Sequence, residues 1–309
     1  MRVLITGGAG FIGSHVSEEA LEQGHEVTVV DNLSQGLREN IPPQARFVYG
    51  DILHPEHWLS TIGPVDIVIH LAAQISVPVS EKDPLTDFRV NAEGTLRMLM
   101  ATQELGAGQF RTASSAAVYG DADHLPLSEE ERVHPVAFYG LSKHTAEQYV
   151  LHFASKQDLK AVVLRLANVY GPRQRTQGEG GVVAVFCESM AQDRLPEIHG
   201  DGQQSRDFVY VGDVARAFLH RLQNPGSPAV YNVSTEIPTT VFDLFTTLSK
   251  IAGKPQDGFR RAPVRIGDIH DSVLSQNKAK SWGFEPQTLL RDGLWTTWKY
   301  FLNRELHAE

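Results

Sequence analysis

The sequence predicts an α/β fold, a doubly wound parallel sheet with a smaller C-terminal domain. Three observations carry this. An apolar, partly β-branched run at Arg2-Val3-Leu4-Ile5-Thr6 leads directly into a glycine-rich turn, Gly7-Gly8-Ala9-Gly10-Phe11-Ile12-Gly13. Strand-like and helix-like stretches then alternate as far as Tyr170. At Gly171-Pro172 that rhythm breaks.

The first run is short and apolar enough for a buried strand. Of the glycines, Gly7 permits a tight turn, Gly10 lets backbone approach a pyrophosphate, and Gly13 allows a helix to pack closely on the strand. Ser14–Gln23 reads as that helix, closed by Gly24, with its N-terminal N–H groups facing the phosphates. The next strand, His25–Val30, ends in Asp31, roughly twenty residues beyond the glycines, where an acid meets ribose hydroxyls. Such an acid would repel a 2′-phosphate, so NAD is favoured over NADP. Further strands are expected at Arg46–Tyr49, Val65–Leu71, Gln109–Ser114 and Ala161–Leu166, with helices near His54–Thr61, Pro84–Leu105 and Ala137–Ser155. Alternation of this kind implies parallel strands joined by right-handed crossovers, a Rossmann sheet. Beyond Pro172, Arg173–Gly181 is a polar, glycine-rich loop, Val182–Gln192 looks helical, and Gly200-Asp201-Gly202 marks a turn. Asp207–Val211, Val214–Leu222 and Val230–Val233 are expected to return to the main sheet, and helices follow at Val241–Ala252 and near Leu289–Leu302. The division is therefore a dinucleotide-binding domain of residues 1–170, rejoined by 208–233, and a second domain of 171–207 and 234–309.

Bulk properties narrow the function classes. A chain of 309 residues can bury a large core, and a formal net charge of −9 argues against nucleic-acid or membrane-surface partners. A single cysteine, Cys187, permits neither a disulfide framework nor a cysteine-based metal site. A first strand beginning at Arg2 leaves no room for a signal peptide, and no apolar run is long enough to span a bilayer, so the cytoplasm is expected. His54 and His57 stand near a helix start, but no third ligand is evident beside them, and no metal site is expected. Asn232-Val233-Ser234 matches a glycosylation acceptor but falls in an expected buried strand.

The chemistry centres on Tyr139-Gly140-Leu141-Ser142-Lys143. Residues four apart on a helix share one face, about 6 Å apart along the axis. A free tyrosine loses its proton only near pH 10, and a neighbouring ammonium is expected to lower that value into a useful range for acid/base work. Behind a dinucleotide-binding start, the pair becomes a candidate reaction centre.

With these motifs stand Gly50-Asp51-Ile52, His70-Leu71-Ala72-Ala73, Ser114-Ser115-Ala116-Ala117-Val118-Tyr119-Gly120, Arg165 to Arg173, Arg206-Asp207-Phe208 and Arg265-Ile266-Gly267-Asp268. Together they resemble, essentially end to end, the extended short-chain dehydrogenase/reductases, and within them the NAD-dependent sugar-nucleotide epimerases. The resemblance implies an NAD site built from Gly7, Gly10, Phe11, Ile12, Gly13, Asp31, Asn32, Ser34, Gly36, Asp51, Ile52, Leu71, Ala72, Ala73 and Gln74, with Asn91 anchoring a neighbouring strand and Tyr139 and Lys143 reaching the nicotinamide half. It places Ser115 beside Tyr139 as the catalytic hydroxyl, because the family's Ser or Thr directly precedes the Ala-Ala-Val-Tyr run; Ser114 is the competing choice. For a UDP-sugar substrate it implies Arg206 and Arg265 on the pyrophosphate, Asn168 reaching the same group, Asp268 on the ribose or Arg265, Val183 and His199 near the nucleotide, and Ser272 at the end of the sugar pocket. It also implies a homodimer, with the helices Pro84–Leu105 and Ala137–Ser155 pairing with their mates.

What the resemblance implies for the reaction is C4 epimerisation of a UDP-hexose, in which Tyr139 takes the C4 hydroxyl proton as NAD oxidises C4, the 4-keto sugar turns over, and both steps reverse on the other face. Its nearest rivals are a 4,6-dehydratase and a UDP-glucuronate decarboxylase. Relatives of those kinds carry acids directly after the catalytic hydroxyl residue, where this chain has Ala116 and Ala117. A non-catalytic redox sensor could dispense with Tyr139 and Lys143, and both are present.

Overall fold

A computed structural model describes residues 1–121, 124–176, 180–224, 226–264 and 269–306. Arg265 and Asp268 lie outside the described residues. The first half alternates strands and helices: β1 (Arg2–Thr6), α1 (Phe11–Glu22), β2 (Glu26–Asp31), β3 (Arg46–Tyr49), β4 (Ile67–His70), α2 (Val77–Lys82), α3 (Pro84–Phe88), α4 (Gly94–Glu104), β5 (Gln109–Ser115), α5 (Phe138–Gln157), β6 (Lys160–Leu166) and β7 (Asn168–Tyr170). The second half runs α6 (Val182–Ala191), β8 (Glu197–His199), β9 (Ser205–Tyr210), α7 (Val211–Leu219), β10 (Ala229–Val233), β11 (Pro238–Thr240), α8 (Val241–Ala252), β12 (Arg260–Ala262), β13 (Asp271–Ser272), α9 (Asn277–Ser281) and α10 (Leu290–Leu306).

Seven strands form one sheet in the order β10-β6-β5-β4-β1-β2-β3, every pair parallel. Both faces of its central strands are buried, as a parallel sheet under helices requires. One face packs Val16 and Ala20 of α1 with Val214 and Phe218 of α7; the other packs Met98 and Leu99 of α4 with Val150 and Ala154 of α5. Strand order reverses between β1 and β4, so their carboxyl ends open a crevice where ligands bind in such sheets. A third core joins α6, α8 and α10 through Phe186, Phe245 and Trp298.

Three expectations need correction. The segment Asp207–Val211 does not rejoin the main sheet: β9 pairs with β7, β11 and β13 in a separate four-stranded sheet. Only β10 returns, beside β6, while α7 packs on α1. The helix expected over Pro84–Leu105 is three pieces, with a wide π-helical turn at Arg89–Glu93 between α3 and α4. His54–Thr61 forms two short 3₁₀ turns instead of a helix. Among the described residues, no helix is long and apolar enough to cross a membrane.

Candidate active site

The crevice begins with glycines that nothing larger could replace. Gly7 has φ +72°, and a Cβ there would lie 2.5 Å from the Ala72 backbone nitrogen; one on Gly13 would lie 2.1 Å from the Gly7 carbonyl oxygen. The chain ends of β1 and β4 and the start of α1 therefore meet backbone to backbone. Gly10 caps α1 in extended geometry without a side chain, and no acid occupies the first turn, where Phe11 and Ile12 are half-buried. A bare helix N-terminus at a switch point fits a pyrophosphate. Asp31 is buried, with its carboxylate accepting the backbone N–H groups of Ala9 and Leu33 at 3.0 and 2.8 Å. Burial pushes its pKa up and those two bonds oppose it. Asn32 donates to Asp51 at 3.2 Å, Ser34 donates its N–H to Asn32, and Gly36 lies against Ala9. Ile52 is buried in the core beside Gly94. These contacts gather the first glycine turn and the ends of β2 and β3 around Asp31 and Asp51.

Leu71, Ala72, Ala73 and Gln74 extend from β4, all half-buried. Asn91 clamps the last of them, accepting the Gln74 N–H at 2.9 Å and donating to its carbonyl at 3.0 Å. It also donates to the Ser142 hydroxyl on α5 at 3.0 Å. Ser115 ends β5 and Tyr139 opens α5, with Lys143 one turn on and only 7 % exposed. Ser114, buried at the preceding position of β5, acts on Glu147.

The electrostatics differ from expectation. Burial is the largest influence on the Tyr139 phenol and raises its pKa; the Ser115 hydroxyl lowers it and Asp87 raises it. Lys143 was expected to be the lowering contact. Its own charge is instead engaged by Glu147 and Asp87, which oppose burial while its pKa falls to about 8. The Tyr139 phenol is thus protonated at neutrality in the free protein.

On the second sheet, β7 pairs with β9 so that Asn168 stands opposite Phe208, two residues along β9 from Arg206, and Ser272 of β13 is the register partner of Arg206. Arg206 donates to the carbonyls of Ser205 and His270. His199 is half-buried, with Nδ1 2.9 Å from the Pro263 carbonyl. Val183, expected near the nucleotide, is 1 % exposed and packed into the third core. Two ties hold the following loop against the cradle: Arg173 forks onto Glu18 of α1, and Arg175 donates to Gln35.

Two features escaped the sequence. Glu147 and Arg165 form a buried bidentate pair at 2.9 and 2.7 Å behind Lys143, and Asp87 is buried against Gln74 and Asn91. Spacing offered a signal for each, since Glu147 follows Lys143 by one turn and Asp87 precedes Asn91 by one. His54 and His57 do have a third neighbour: Glu56 Oε1 lies 3.2 Å from His54 Nδ1 and 3.9 Å from His57 Nε2, all three exposed.

The model of the NAD dependent epimerase/dehydratase family matches residues 3–234. A putative UDP-glucose 4-epimerase from Methanocaldococcus jannaschii is 38% identical over 94% of this chain and 95% of its own length. Among solved structures, a UDP-glucose 4-epimerase from Thermotoga maritima with UDP-glucose superposes with TM-score 0.94 at 41% identity, covering 98% of this chain and 99% of that one. A UDP-N-acetylglucosamine 4-epimerase from Methanobrevibacter ruminantium, in complex with UDP-N-acetylmuramic acid, gives 0.92 at 31% identity, covering 98% of both chains. The glycine cradle, the Ser115–Tyr139–Lys143 cluster and these matches agree: the chain belongs to the NAD dependent epimerase/dehydratase family.

Proposed function

We propose that the protein is an NAD-dependent epimerase that inverts C4 of a UDP-hexose, interconverting UDP-glucose and UDP-galactose. The observation that carries this is the Ser115–Tyr139–Lys143 cluster at the carboxyl edge of a sheet whose glycines leave a dinucleotide cradle. When bound, NAD would supply the oxidant for C4, its reduced form the reductant for the return, and a positive ring beside the phenol. With that positive ring and the Lys143 ammonium beside it, the phenol would first release its proton to solvent; as the phenolate, Tyr139 takes the C4 hydroxyl proton and later gives it back, and Ser115 shares a hydrogen bond with the same oxygen. Lys143, as an ammonium, lies on the same helical face and favours the phenolate as it forms. No proton or electron is gained or lost over a full turnover, so no external reductant is needed. Ala116 and Ala117 cannot transfer protons, which disfavours dehydration or decarboxylation of the same keto sugar.

Asn168, Arg206 and Ser272 lie on strands of the second sheet and are assigned to the UDP-sugar, as are Arg265 and Asp268 by resemblance alone. We assign Ser272 to the sugar's C2 side, where its small side chain would admit an N-acetyl group. Leu85, Phe88, Met100 and Tyr149 leave an exposed apolar face on α3, α4 and α5, and we propose that this face pairs two copies into a homodimer. The single buried thiol suits a reducing compartment, and the cytoplasm is the proposed setting. Purified protein incubated with UDP-glucose, with UDP-galactose as the product sought, tests the assignment.

A further inference from the structure

The helix that carries Tyr139 and Lys143 lacks the means to cap its own start. The first N–H groups of a helix have no partner within it, and a short polar side chain at the N-cap ordinarily supplies one. α5 begins at Phe138 behind Ala137, which is extended at φ −128° and ψ 155° and has no capping group. Its first turn holds no acid either. The first bond inside the helix runs from the Leu141 N–H to the Ala137 carbonyl. The N–H groups of Phe138 and Tyr139 therefore need partners from elsewhere.

Both partners come from α2. The Ser80 hydroxyl oxygen accepts the Tyr139 N–H at 3.0 Å, and Glu81 Oε1 accepts the Phe138 N–H at 3.0 Å. Ser80 is fully buried, and its own hydroxyl proton goes to the Val77 carbonyl at 2.7 Å, which leaves its lone pairs for the tyrosine. The Glu81 carboxylate stands at the positive end of α5, where it replaces the acid that the first turn lacks. On its other side, Gly140 is buried so closely that a Cβ would lie 2.4 Å from the Ala117 carbonyl oxygen, in the turn where the Ser115 hydroxyl accepts the Ala117 N–H. The first turn of α5 is thus gripped between α2 and the turn after β5. α2 is also tied to the cofactor edge. It is six residues long and follows directly on Leu71–Gln74. Ser76 caps it by accepting the Val79 N–H at 3.2 Å, and the Gln74 side chain holds the Ser76 backbone by its N–H and its carbonyl. One short segment therefore leaves β4 at the cofactor edge and ends on the backbone of Tyr139.

We propose that Ser80 and Glu81 are positioning residues of the reaction, which cap α5 from a neighbouring helix and so fix Tyr139 against the cofactor edge. This rests on Tyr139 being the reacting group, so the deciding readout uses no substrate. In protein labelled at its tyrosine and phenylalanine nitrogens, hydrogen exchange of the Tyr139 and Phe138 N–H groups is followed by NMR, with Tyr139→Leu and Phe138→Leu assigning the two resonances. The wild-type Tyr139 N–H should be protected although it has no partner within α5. Ser80→Ala should raise its exchange rate by about fivefold or more, the size of one lost cap. In the same variant kcat and kcat/KM should fall together by at least about tenfold while KM and NAD binding stay near wild type, as for a group misplaced only in the transition state. Glu81 is exposed and gives a second test should the Ser80 variant not fold. Glu81→Ala should free the Phe138 N–H to exchange, and Glu81→Gln, which keeps an acceptor oxygen, should hold it protected. An unprotected Tyr139 N–H in the wild type, unchanged exchange in the alanine variants, or an equal loss of protection in the Gln variant would overturn the proposal. So would a rise in KM or a loss of NAD binding that matches the fall in kcat. Absence of epimerase activity in the wild type would count against the proposed function and leave the exchange measurement standing.

Discussion

At the scale of single residues, pocket shape decides substrate range. Ser272 is half-buried beside Arg206, and its hydroxymethyl group leaves space at the end of the proposed sugar pocket. A shape clash discriminates more strongly than a vacancy, since an unfilled pocket weakens binding of a smaller substrate only modestly. UDP-glucose and UDP-N-acetylglucosamine should therefore both be turned over, and Ser272→Tyr should lower kcat/KM for the acetylated sugar by at least about tenfold relative to the plain one. Failure of the wild type on the acetylated sugar, or an unchanged ratio in the Tyr variant, would defeat that assignment. The phenol of Tyr139 illustrates a different residue-scale lesson. Helical spacing sets it one turn before Lys143 on α5. Its titration follows from burial, Ser115 and Asp87, which come from other elements and are not written in the local pattern.

At the scale of elements, α5 couples the reacting pair to the sheet through Glu147 and Arg165, whose side chains are 1 % and 5 % exposed. Breaking a buried pair strands its surviving charge, so Glu147→Gln should destabilise the fold by about 3–5 kcal/mol in urea unfolding at neutral pH. Burial raises the Glu147 carboxyl, but the Arg165 and His144 bonds overcome it and hold the pKa at about 2. A depressed folded-state pKa means this stabilisation is fully present above the unfolded value of about 4.3. It is lost as pH falls from there through about 2, and the Gln variant should lack that part of the acid loss. Much of the element plan was legible because it is local: β1, its glycines, α1 and α5 each announce themselves within a few residues. The misplacement of β9 has a physical cause, since Ser205–Tyr210 is a short strand, three polar residues and then three apolar ones, whose local pattern names no sheet, and only its long-range pairing with β7, β11 and β13 decides. Asp87 was hidden for another reason: its spacing to Asn91 is helical, but only the fold shows that its carboxylate is buried against Gln74 and Asn91.

At the scale of the whole molecule, the exposed Leu85, Phe88, Met100 and Tyr149 are more apolar surface than α3, α4 and α5 need to pack on their own sheet. Multi-angle light scattering at micromolar concentration should give twice the 34.2 kDa chain mass, and a monomer there would contradict the homodimer. The account's central claim is that one tyrosine, placed by the sheet edge and a cofactor cradle, moves the C4 proton of a UDP-hexose. The most direct test is the rate of UDP-glucose and UDP-galactose interconversion by NAD-loaded wild type and Tyr139→Phe, measured side by side with NAD binding. The account predicts interconversion by the wild type, and a Phe variant that still binds NAD but turns over at least about a hundredfold more slowly. Near-normal turnover by the Phe variant, or no interconversion by the NAD-loaded wild type, would contradict it.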